Sequence, residues 1–165
     1  MGDLMAQLYY PRTDAEKKVL LNWCVDLLPM RAQIAPSMAQ PVGVVSDDYA
    51  RLYAVAVWHN YIAEYGLIEL TAASKAGAIH WGRPSVIRDI LRYPFQQIGI
   101  RKMVVHIAAS NRAANAVAAK AGLTREATLR HHYANKQHAV MWSMTAHEWR
   151  QSRWFVPDEQ QQEAA

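Results

Sequence analysis

Seven histidines, fourteen carboxylates, eight tyrosines and a single cysteine are the side chains here that could ligate a metal or move a proton. His131-His132 and His138 lie close in sequence and raise the question of a metal. Adjacent histidines point to opposite faces of a strand, however, and no carboxylate or cysteine completes a spaced set, so no metal site is expected. Cys24 has no cysteine partner, which excludes an internal disulfide and a cysteine-rich zinc site and points to a reducing compartment. His80, beside Trp81, is a titratable group in a glycine-bearing loop, and with six other histidines in the chain it reads as structural. Trp142, Trp149 and Trp154 read first as packing residues. Trp149, Trp154 and Phe155 also form a candidate apolar docking surface for a protein partner.

Composition narrows the function classes. Hydrophobic residues make up 52% and charged residues 19% of 165, which excludes a disordered chain and fits one globular domain spanning 1–165. The net charge of +4 is scattered without a run of five or six Lys and Arg, so no nucleic-acid partner is expected. No apolar stretch approaches the roughly 20 residues of a membrane span. The start Met1-Gly2-Asp3 lacks a basic region followed by an apolar run, and Ala6 stands where a myristoylation motif wants Ser or Thr. The expectation is a soluble, unprocessed, cytoplasmic protein.

The elements that must position these groups are legible in stretches. Thr13 and Glu16 form a capping box, with Thr13 accepting the Glu16 amide and Glu16 reaching back. A helix follows from Asp14, with Val19, Leu20, Trp23, Cys24, Leu27 and Leu28 on one face until Pro29. Pro36 and Pro41 break the text between Arg31 and Gln40, which reads as an irregular connection or a short second helix. Val42 to Val45, Leu52 to Trp58 and Tyr65 to Ala72 read as three consecutive strands, the first two joined by a turn at Ser46-Asp47-Asp48. Pro84 opens a helix that Pro94 should kink or end. Met103 to Ala108 is a buried strand, Asn111 caps an alanine-rich helix, and Gly122 fits its left-handed C′ position. Leu123 to Arg130 and Ala139 to Thr145 form two closing strands, and the polar tail from Pro157 is expected to be loose. The order implies a mixed α/β sheet with one parallel pair joined by a right-handed crossover.

Tyr93-Pro94-Phe95-Gln96-Gln97-Ile98-Gly99-Ile100-Arg101-Lys102, Asn111-Arg112-Ala113-Ala114 and Lys120-Ala121-Gly122-Leu123 resemble the GNAT N-acetyltransferase superfamily, in its ribosomal-protein-acetyltransferase-like branch. Glu126, Leu129-Arg130 and Glu148-Trp149 are similar to the same branch. The element order matches from about residue 13 to 149, most strongly over 82–149. The resemblance implies a mostly antiparallel sheet with a central parallel pair splayed apart, flanked by helices. It also implies acetyl-coenzyme A bound in that gap and an amine-bearing protein or small-molecule acceptor that attacks the thioester directly. The implied cofactor-binding positions are Thr71, Ala72, Ala73, Trp81, Gly82, Arg83, Asn111 and Asn115, with the pyrophosphate at the turn from Ala78 to Ser85. Glu69 would relay a proton from the amine and Tyr133 would protonate the thiolate. Each has a plainer reading, as a solvent-facing strand glutamate and an ordinary tyrosine.

Two positions depart from the family's pattern. Its phosphate loop carries closely spaced glycines, whereas Lys75 to Arg83 has two at another spacing and the bulky Trp81. Where many members place an acidic Tyr in the last helix, Ala118 stands here. Both departures suit a second reading, a non-catalytic GNAT-like protein-binding module of the kind phages encode as virion or host-interaction components.

Overall fold

The computed structural model describes residues 6–28, 34, 36–75 and 82–157. Seven strands form one sheet in the order β1-β2-β3-β4-β5-β7-β6: β1 Ala6–Tyr9, β2 Ala39–Ser46, β3 Leu52–Ile62, β4 Leu67–Ser74, β5 Lys102–Ala108, β6 Thr124–Leu129 and β7 Ala139–Thr145. Helices α1 Asp14–Leu27, α2 Pro84–Arg92, α3 Arg112–Lys120 and α4 Ala146–Gln151 flank it. Every neighbouring strand pair is antiparallel except β4 with β5. Among the described residues no helix is long and apolar enough to cross a membrane.

Alternation along the strands separates two cores. Val55, Val57 and Ala73 bury one face of β3 and β4 under Leu20, Leu21 and Cys24 of α1. Ala54, Ala56, Trp58, Ile68 and Met103 point the other way, into a larger core with Val86, Ile90, Phe95 and Trp149. Burial pushes the Cys24 thiol up to about 11, so it remains a packing residue.

Several expectations are corrected. β1 precedes the first helix, and its four residues are too few to announce a period in the sequence. Pro41 lies inside β2 instead of breaking it; β1 ends at Tyr9 opposite Gly43, so Pro41 sits where β2 is the sheet edge and a missing N–H costs no bond on that side. Thr13 accepts the Glu16 amide as expected, but the Glu16 carboxylate reaches back to the amide of Arg12, at 2.7 Å. The full reciprocal box is instead at α4, between Thr145 and Glu148. Pro94 ends α2 as expected, and the end is a π turn, Tyr93–Ile98, closed by Gly99 at φ 76°. The docking surface expected of Trp149, Trp154 and Phe155 is not exposed. Trp149 lies between Phe95, stacked at 5.3 Å, and Phe155, edge-on at 4.9 Å, while the Trp154 indole donates to the Ala121 carbonyl at 2.8 Å. The two tryptophans are core, 3% and 4% exposed, and the half-buried Phe155 packs against that core.

Helix α3 is as the sequence predicts. Asn111 Oδ1 accepts the Ala114 amide at 3.1 Å, and Gly122 at φ 82° closes a Schellman motif in which Leu123 N–H reaches Ala118 O and Gly122 N–H reaches Ala119 O. Tail residues 158–165 lie outside the described residues.

Candidate active site at the open strand pair

β4 and β5 are partners at Leu67–Lys102, Ile68–Met103 and Glu69–Val104, and there the pairing stops. β4 continues to Ser74 along β3 and β5 continues to Ala108 along β7, so the two strands diverge beyond Glu69. Their near ends are pinned. Gly66 O accepts the amides of Arg101 and Lys102 at 2.8 and 3.0 Å, and the Arg101 guanidinium donates to Tyr65 O and Glu64 O at 3.0 and 2.8 Å.

Ladder alternation decides which backbone groups face the opening. Lys75 N–H bonds Tyr53 O, so the odd-numbered residues of β4 bond β3, and Leu70 and Ala72 turn their N–H and C=O toward the gap. On the other wall, Ala109 N–H bonds His138 O and Ala146 N–H bonds Arg101 O, so the even residues His106 and Ala108 face it. The carbonyls of this second wall are already engaged. Tyr133 donates its hydroxyl to His106 O at 3.3 Å, and Asn115 Nδ2 and Asn111 N–H donate to Ala108 O at 3.0 and 2.9 Å. This explains why β5 can leave β4 without orphaning its carbonyls.

Glu69 is the last paired residue of β4, on the α1 face of the sheet. Register partners share a face, so His59, opposite Glu69, and His106, two beyond Val104, lie on that face too. The Glu69 carboxylate lies 4.0 Å from His59 Nδ1 and 3.9 Å from His106 Nδ1, within electrostatic range and too long for direct hydrogen bonds. Burial lowers the pKa of both imidazoles against the opposing pull of Glu69, so both are neutral near pH 7. His59 Nε2 meets Thr71 Oγ1 at 2.9 Å. A one-residue bulge follows His59, with Asn60 in the left-handed region at φ 52°, and it re-aims the end of β3 beside this group. His132 packs its ring 5.0 Å from His106 and 4.8 Å from Tyr133.

Of the expected site residues, then, Glu69 and Tyr133 meet at His106, from its side chain and its carbonyl respectively. Ala72 faces the gap with its backbone. Thr71 and Ala73 bond β3 through theirs, and Ala73 is buried under α1. Gly82 is exposed, with no described residue within 4 Å of where a Cβ would stand apart from its chain neighbour, and Arg83 is the N-cap residue of α2. Trp81, like His80 and the turn's first residues, lies outside the described residues. Asn111 and Asn115 are occupied structurally: Asn115 Oδ1 also accepts the Trp142 indole N–H at 2.8 Å, which ties α3 to β7. Ala118 is buried and supplies no acid. His138 Nδ1 accepts the His131 amide at 3.2 Å. Sequence reasoning missed His59 and His106. Each occupies an inward position of a strand otherwise filled by apolar residues, and that was the available signal.

No protein-family model matches the chain, and no curated protein matches it in sequence. Solved structures do. A chimera of the spermidine N-acetyltransferase SpeG from Vibrio cholerae and hSSAT aligns with TM-score 0.72 at 13% identity, over 88% of this chain and 98% of that one. The spermidine/spermine N-acetyltransferase SpeG from Vibrio cholerae aligns with TM-score 0.69 at 14% identity, over 88% and 95%. The seven-stranded mixed sheet with its single parallel pair, flanked by helices, is the GNAT fold of these neighbours.

Proposed function

We propose that the protein is an N-acetyltransferase that moves an acetyl group from acetyl-coenzyme A to a primary amine. The observation that carries this reading is the end of β4–β5 pairing at Glu69, which leaves an open backbone wall next to a carboxylate set between two neutral imidazoles. Acetyl-coenzyme A would supply a thioester that an amine can attack. Ala72 N–H and C=O and the amides of His106 and Ala108 would hold its pantetheine arm. The exposed Gly82, with Arg83 at the start of α2, suits its phosphates. Glu69 takes the proton that the amine must lose, with His59 or His106 as the next acceptor. The Tyr133 hydroxyl, whose pKa burial raises, stays protonated and available to the departing thiolate.

A specific observation favours a second reading, a non-catalytic binding module such as a virion or host-interaction component. Tyr133 and Asn115 already satisfy the β5 carbonyls of the gap, and the loop from Lys75 to Arg83 lacks closely spaced glycines. Titration calorimetry with acetyl-coenzyme A separates the two. Saturable binding that Arg83→Ala weakens about tenfold is expected; no heat and no thermal shift at millimolar coenzyme would leave the binding module.

A further inference from the structure

The two histidines beside Glu69 are not equivalent, and the difference bears on where a proton taken there can go. His59 is closed in. Its side chain is 9% exposed, its Nδ1 faces the Glu69 carboxylate and its Nε2 meets Thr71 Oγ1, so both ring nitrogens are committed to β4. His106 is open on one side. Its side chain is 23% exposed, its Nδ1 stands 3.9 Å from the same carboxylate, and its ring lies 5.0 Å from that of His132, an exposed residue.

The turn between β6 and β7 holds His132 in that place. His131 enters it in the left-handed region at φ 51° with its amide bonded to His138 Nδ1, and Tyr133 N–H bonds Gln137 O across it. Ala109 N–H, just past β5, bonds His138 O at 2.9 Å, which fixes the turn to the strand that carries His106. Tyr133 extends from the same turn, its hydroxyl on His106 O and its ring edge-on to His132 at 4.8 Å. His132 thus packs against both the neighbour of the proposed base and the proposed acid. Among the described residues no three of these side chains converge as metal ligands would.

We infer that His132 is a proton relay from base to acid: it takes from His106 the proton that Glu69 removes from the amine, and restores the one that Tyr133 gives to the thiolate. The inference rests on the acetyltransferase reading. As the amine nitrogen bonds the acetyl carbon, its N–H bond and the thioester C–S bond break; Glu69 gains a proton and Tyr133 loses one to the sulfur. Unconnected, the two would end a turnover as a neutral carboxyl and a phenolate. Glu69 passes its proton to His106 Nδ1, the imidazolium passes one on to His132, and His132 reprotonates Tyr133. Each group returns to its starting charge, and no proton is gained or lost overall. The 3.9 Å between Glu69 and His106 exceeds a direct hydrogen bond by less than about 1 Å, a gap of the kind that tightens when reactants bind. His59, which has no such exit, is a positioning residue for Glu69.

A relay of this kind resets the enzyme between turnovers, which separates it from a packing role. The test uses the full chain with acetyl-coenzyme A and butylamine. His132→Phe keeps a ring against His106 and Tyr133 but has no nitrogen. Its first turnover, followed by rapid quench, should stay within about twofold of the unaltered protein, whereas later turnovers should be about tenfold slower. His132→Gly should show the same split, and imidazole in the buffer should restore its later turnovers. His132 is exposed, so neither variant threatens the fold. His59→Gln should instead slow the first turnover, and imidazole should not restore it. A steady-state rate unchanged in His132→Phe, a first turnover slowed as much as the later ones, or a loss in His132→Gly that imidazole leaves in place overturns the inference. A second measurement needs no coenzyme. In a histidine NMR titration the His106 ring nitrogens should show a second inflection at the midpoint of His132, absent in His132→Phe. That inflection in a protein that takes up no acetyl-coenzyme A sinks the transferase reading and the relay with it; its absence in a protein that does turn over sinks the relay alone.

Discussion

At the scale of single residues, the candidate site depends on where Glu69 stands more than on its being a glutamate. Its backbone lies in the β3 ladder, and its carboxylate occupies the one register position from which β3 and β5 both contribute a histidine. Glu69→Gln keeps the shape and removes the base. It should therefore lower kcat by about 10²- to 10⁴-fold while leaving acetyl-coenzyme A affinity within about twofold. A change of less than threefold in kcat would move the proton transfer elsewhere. Lys102 and Glu126 show by contrast how a strand ion pair behaves without such a neighbourhood. Lys102 Nζ sits 2.6 Å from the Glu126 carboxylate and lowers its pKa, and Ser143 donates to the same oxygen, an arrangement complete in itself that leaves no proton to exchange.

At the scale of elements, two devices keep one end of the parallel pair closed and the other open. Gly66 pins the closed end at φ 57°, where a Cβ would stand 3.1 Å from the Arg101 amide nitrogen. Gly66→Ala should cost about 1–2 kcal/mol from the left-handed backbone alone, and urea denaturation would read it; an unchanged midpoint would show that this turn relaxes freely. At the open end, Asn115 makes three bonds while Asn111 caps one amide. Asn115→Ala also leaves the Trp142 indole unpaired and should cost about 2–3 kcal/mol, against about 1 kcal/mol for Asn111→Ala. Equal costs would make Asn115 a cap accessory and nothing more. These contrasts explain what was legible in the sequence. The cap at Asn111 and the stop at Gly122 are local, written in residues three or four apart, and both were readable. The splay at Glu69, the struts of Asn115 and the meeting of His59 with His106 depend on which strands become neighbours. His59 and His106 are 47 positions apart, and only the β3-β4-β5 order brings them to one carboxylate. The aromatic end of the chain misled for the same reason: Phe95, which buries Trp149, lies on a remote turn.

For the whole molecule, the histidines of the site carry a cost that pH exposes. His59 and His106 have folded-state pKa values below the ordinary 6.5, burial being the first cause in both; Glu69 opposes it in each, and His106 also feels His132. The unfolded chain therefore binds more protons than the folded one below about pH 6.5, and by linkage stability falls as the pH drops through that region. The lowered carboxylates act in a different window. Glu126 and Glu148 hold their stabilising charge above about 4.5, and that contribution is lost only as pH falls toward their folded values. Melting temperature measured from pH 7.5 downward should thus decline in two stages, the first beginning near pH 6.5. His59→Gln removes one of the two groups responsible and should flatten the first stage while leaving the second in place. A flat profile between pH 7 and 5 in the unaltered protein would mean that both imidazoles accept protons as readily folded as unfolded. The neutral pair beside Glu69 would then no longer stand, and proton removal from the amine would have to rest on the carboxylate alone.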